Sequence, residues 1–171
     1  MIDLAKTALA IAKRIQDEAR RNGIPPDEGL PAESQQVIPL SIIRGTRGYL
    51  ENIANQVNGS YEHGWFDACA VMIRRLVETL IIEAFEHNHI AHKIQDAAGN
   101  FLPLSDLINL TLREQTWNLA RDTKKGLPKL KSLGDLSAHS RRYLAHRQDI
   151  ERVIDDLRVV IQEMVFLAGL K

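Results

Sequence analysis

His139 and His146 enclose Arg141 and Arg142 within eight residues, with Lys124, Lys125, Lys129 and Lys131 leading in and Arg147 just beyond. These residue types suit phosphate chemistry. A neutral imidazole can take the proton from a ribose 2′-hydroxyl, and a guanidinium can hold the charge that builds on phosphorane oxygens. From Arg121 to Arg147 the bases are opposed only by Asp122 and Asp135, a local excess that points to a phosphate-bearing partner. The plainer alternative is a solvated helix face balanced elsewhere. The chain has 22 bases against 22 acids, so no global field draws it to nucleic acid or membrane.

Other polar residues could support such a site. Arg74 and Glu78 lie one helical turn apart, and Asp135 lies one turn before His139. An intrahelical pair explains Arg74 and Glu78 first, while Glu78 could also reach across to Arg141 or His139. His87, His89 and His92, with Glu83 and Glu86 upstream, invite a metal reading. No three or four of them fall on one helical stripe, and no zinc spacing occurs, so no metal site is assigned. No cofactor is called for either, because the chain has no glycine-rich phosphate loop, serine elbow or metalloprotease helix. The single cysteine, Cys69, sits among apolar helix positions and reads as a buried, inert thiol.

The elements that must position these residues read as helices. Leu4, Ala8, Ile11, Ala12, Ile15 and Ala19 recur at helical spacing, so the first twenty residues form an amphipathic helix stopped at Asn22-Gly23. Pro25, Pro26, Pro31 and Pro39 punctuate a connector running to about Leu40, which leaves the first helix as an appendage for the body, a second subunit or a protein partner. A second helix is expected from about Arg47 to Asn58, with Gly59-Ser60 and Gly64 marking a break near its end, or else running on to Tyr61. The strongest periodicity is Phe66, Cys69, Ala70, Ile73, Leu76, Val77, Leu80, Ile81 and Ala84, the central core helix, with Arg74, Arg75, Glu78 and Glu83 on its polar face.

A short hairpin is expected around Asp96 to Asn100, then a helix starting near Pro103 and Ser105-Asp106. A further helix is expected over Trp117 to Lys125, ended by Gly126 and Pro128, and another over Leu127 to His139. Ile150, Val153, Ile154, Leu157, Val160, Ile161, Met164 and Leu167 give the stripe of a last helix, capped by Asp149. The expected fold is all-α, with residues 1–45 as helix and connector and residues 46–171 as the bundle. No apolar run is long enough to span a bilayer, and the first residues lack the pattern of a leader, so a soluble, cytoplasmic protein is expected.

Three stretches also carry a family resemblance: Tyr61 to Glu78 with its Phe-Asp-Ala-Cys start and Arg-Arg-x-x-Glu turn, then Leu133-Gly134-Asp135-Leu136-Ser137-Ala138-His139, then the helix from Asp149. In order and content they resemble the HEPN superfamily, the higher eukaryote and prokaryote nucleotide-binding domains, over roughly Tyr49 to Leu170. The resemblance implies a bundle of four or five core helices and a homodimer with the histidine at its twofold axis. Active members pair that histidine with an arginine four to six residues earlier and cleave RNA without metal. Here those three positions hold Asp135, Gly134 and Leu133, and only the Arg141 to His146 stretch offers an arginine before a histidine. The expectation is therefore a non-catalytic, dimeric HEPN-like interaction module of a bacterial defence or regulatory system that binds RNA or a nucleotide. Arg142, Arg147 and the four lysines would grip phosphate. The alternative is a metal-independent endoribonuclease, a toxin or defence effector, using His139, Arg141 and His146.

Overall fold

The computed structural model describes residues 4–22 and 36–171, and these fold into α1 (Leu4–Asn22), α2 (Leu40–Ile43), α3 (Gly48–Glu62), α4 (Phe66–His87), a 3-10 turn (Ala91–Ile94), α5 (Leu104–Arg113), α6 (Arg121–His139), α7 (Arg147–Glu151) and α8 (Ile154–Leu167). The fold is an all-α bundle, with no strand among the described residues. The connector prolines Pro25, Pro26 and Pro31 lie outside them.

α4 is the axis of the bundle, and α3, α5, α6, α7 and α8 all pack on it. Every residue of its expected apolar stripe is buried, and so is Phe85. A helix packed on several sides has little room for a polar face. Glu83, expected on that face, is accordingly buried: its carboxylate takes the Tyr49 hydroxyl and pairs with Arg47 Nε at 2.8 Å. Asn58 is buried too. Its side chain accepts from Ile38 N–H at 2.9 Å and donates to Ile38 C=O at 2.9 Å, satisfying backbone that no helix serves. Arg158 of α8 completes this clamp by donating to the carbonyls of Val37 and Gln36. Val37, Ile38 and Ile43 consequently belong to the core, upstream of residue 46.

Of the alternatives for α3 the continuous helix is the one observed, and Gly126 does not end a helix as its sequence reading had it. α3 runs through Gly59-Ser60 and stops at Gly64, which takes the left-handed conformation (φ +73°). α6 is one helix from Arg121 to His139, not two segments parted at Gly126, and Pro128 lies inside it. Gly126 and Gly134 mark close helix crossings rather than stops. A Cβ on Gly126 would lie 3.0 Å from Val160 Cγ2 of α8, and one on Gly134 would collide with Arg74 Cβ of α4. The helix expected from Trp117 starts only at Arg121, and residues 114–120 form an irregular link; Trp117 Nε1 donates to the Thr111 carbonyl there and its ring meets Phe85 edge-on.

Smaller departures follow the same lines. The expected hairpin reduces to one bridge between Gln95 and Phe101, its turn held by the Asp96 carboxylate accepting from the Ala98 and Asn100 N–H groups. The last helix is broken after Glu151 into α7 and α8. Asp149 serves from the third position of α7, where its carboxylate accepts from His146 N–H at 3.0 Å. Among the described residues, no helix is long and apolar enough to cross a membrane.

Candidate functional site

α6 and α5 lie side by side with a groove of about 660 Å³ between them. Lys131, Asp135 and His139 follow one another at four-residue steps, so a single face of α6 carries all three into this groove. Leu136 lies among them and remains 43% exposed. α5 supplies Ser105, Ile108, Asn109 and Leu112 opposite. The α5 contribution was not read from the sequence, although the four-residue step from Ser105 to Asn109 was visible there.

The groove charges Lys131 and Asp135 are already engaged, with each other and with α4 behind them. Arg74 Nε of α4 donates to Asp135 Oδ1 at 2.9 Å, and Lys131 bonds the other carboxylate oxygen. Partial burial works to raise the Asp135 carboxyl, but the bonds from Lys131 and Arg74 outweigh it and hold it below the usual carboxylate range. Glu78 pairs with Arg74 across one helical turn at 3.5 Å. Of its two sequence readings, the intrahelical pair is the one observed. Two cations and two carboxylates thus form a balanced cluster where Gly134 lets α6 approach α4 most closely.

The other candidate residues lie elsewhere. Lys129 reaches α8 and pairs with Asp156 at 2.7 Å. Lys124 and Lys125 are exposed, the former 3.4 Å from Asn118 Oδ1. Arg141 and Arg142 are exposed in the link between α6 and α7, outside the residues lining His139's groove. That link is pinned at its far end, where Asp67 at the start of α4 accepts from Ala145 N–H at 3.0 Å. His146 and Arg147 open instead onto a second cleft, of about 440 Å³, with Gln148, Asp149 and Arg152.

The two histidines joined in the sequence reading therefore face different depressions, and among the described residues no arginine lines the groove that holds His139. Two tyrosines flank the second region. Burial, then a bond to Glu151, pushes Tyr61 up to about 12; burial, then a bond to Asp149, does the same for Tyr143. Neither gives up its proton near neutrality.

His87 and Asn88 at the end of α4 tie it to the end of α8. The His87 ring lies over Gly169, where any Cβ would collide with it, and Asn88 Nδ2 donates to the carbonyls of Ala84 and Leu167, joining the ends of α4 and α8. Among the described residues, no group of three or more His, Cys, Asp or Glu side chains is arranged to hold a metal ion. No family model matches the chain, and neither a curated protein nor a solved structure does.

Proposed function

We propose that the chain is a HEPN-like, non-catalytic interaction module that holds a partner polypeptide in the α5–α6 groove. The observation that carries this reading is the internal charge balance of the groove around an exposed leucine. A phosphate entering there would have to draw Lys131 and Arg74 away from Asp135 while approaching that carboxylate itself. An apolar side chain meets no such cost and would cover Leu136 and the exposed part of Leu112. His139, at the rim, supplies a hydrogen bond that fixes the partner's register.

In-line attack on a phosphodiester needs a cation beside the imidazole. The exposed Arg141 and Arg142 belong to the neighbouring link, and His146 opens onto another cleft. These placements favour binding over RNA cleavage. The test is incubation of the full chain with a fluorescent RNA in chelator. The RNA should stay intact, and cleavage that vanishes in a folded His139→Ala variant would overturn the proposal. In parallel, polyuridine should leave the His139 imidazole resonances unmoved; a saturable shift would transfer the groove to nucleic acid.

A further inference from the structure

Asp135 stands in the groove wall between two cations and serves each with a different oxygen. Oδ1 accepts from Arg74 Nε at 2.9 Å, and Oδ2 accepts from Lys131 Nζ. Lys131 and Asp135 line the groove, while Arg74 lies behind them on α4. Two donors that each hold one oxygen of a single acid group are spaced as a carboxylate or phosphate requires. The pair is thus built as an anion site, and an acid of the chain itself fills it.

The cations do not owe their places to that acid. The Arg74 stem lies against the bare backbone of Gly134, its Cγ and Cδ each 3.0 Å from where a Cβ would stand there, and Glu78 holds the guanidinium through Nη1 at 3.5 Å. Lys131 is placed by α6, one turn before Asp135. Side-chain exposure is 26% for Arg74 and 28% for Lys131, so an anion between them is shielded from water and held more strongly than on open surface.

We propose that Asp135 sets the specificity of the α5–α6 groove: it fills a latent phosphate site from within, turns away phosphates and carboxylates alike, and leaves the groove to uncharged segments of a partner. This rests on the function proposed above, which requires a groove closed to anions, and names the residue that closes it. A phosphate that took both donors would have the displaced carboxylate beside it, and like charges at close range in a partly buried place disfavour the exchange. An uncharged segment leaves the ion pairs intact.

The test is a titration of inorganic phosphate, at fixed ionic strength, into the wild type, Asp135→Ala and Asp135→Ser, followed by the Arg74 Nε–H and His139 imidazole resonances. Removing the carboxylate opens Arg74 to the groove. Both variants should show saturable shifts, with a dissociation constant about tenfold or more below any wild-type response, weakening when sodium chloride is added. Asp122→Ala removes the same charge from the exposed first turn of α6 and should behave as the wild type does. Asp135 variants as inert as the wild type, or an equal gain in Asp122→Ala, would overturn the role of Asp135 and leave the partner groove standing. Saturable binding by the wild type would overturn both. Asp135 variants that failed to fold would show a carboxylate that holds the helix crossing instead of guarding the groove, and would overturn the proposal as well.

Discussion

Gly134→Ala probes the contact on which the groove depends. On an exposed helix this change stabilises by about 1 kcal/mol, because alanine loses less backbone entropy. At Gly134 the new Cβ would collide with Arg74 Cβ, an atom next to the α4 backbone that no rotamer can withdraw. Relief requires α6 to move away from α4. Overpacking of this kind costs about 1–3 kcal/mol, and a collision beside the backbone belongs at the upper end. Set against the helix-propensity gain, the expected net loss is about 1–2 kcal/mol, or a fall in Tm of about 2–8 °C for a chain of this size.

Gly126→Ala is the internal control. Its Cβ would lie 3.0 Å from Val160 Cγ2, a contact relieved by a shift of a few tenths of an ångström, so its cost falls well below that at Gly134. Urea titrations followed by circular dichroism at constant pH would measure both variants. If Gly134→Ala stabilised the protein as much as an exposed substitution does, the close crossing of α6 and α4 would be refuted, and the placement of Asp135 against Arg74 with it.

Further expectations follow from the same contacts. Asn58→Ala leaves the buried N–H and C=O of Ile38 without partners and should cost about 2–4 kcal/mol in a urea titration; a loss near zero would mean that the 36–38 segment is not held as described. The folded Asp135 carboxyl titrates below its unfolded value, so its contribution to stability is present above the usual carboxylate range and lost as pH falls through the lowered value. Asp135→Asn should flatten that acid limb, and an unchanged pH profile would exclude the cluster as its source. Burial pushes the Cys69 thiol up to about 12, so a thiol reagent at mildly alkaline pH should label it only after unfolding; rapid labelling of the native chain would contradict its burial.

The parts of the fold legible in the sequence are those where one physical cause dominates. The α4 stripe was readable because burial imposes a helical period on side chains whatever surrounds them, and all nine of its residues are inside. Glycine has two opposed uses. At Gly64 it permits a left-handed stop; at Gly126 and Gly134 the absence of a Cβ lets a helix continue against its neighbour. Composition does not separate these, since both need only the missing side chain. Pro128 reinforced the wrong choice, because its preference for helix ends is local whereas the packing that holds α6 together comes from α4 and α8, distant in sequence.

The same limit governs the site. His139 and His146 are close along the chain, but His139 ends a helix that runs beside α5, and the link that follows is drawn to the start of α4 by the bond from Asp67 to Ala145 N–H. Seven residues leaving a helix end can turn onto another face of a bundle, so sequence proximity there does not imply a shared cleft. Residues at four-residue steps within one helix have no such freedom. Lys131, Asp135 and His139 share a groove because the backbone requires it, and their mutual spacing was a stronger sign of a shared surface than the arginine and histidine pairing across the link.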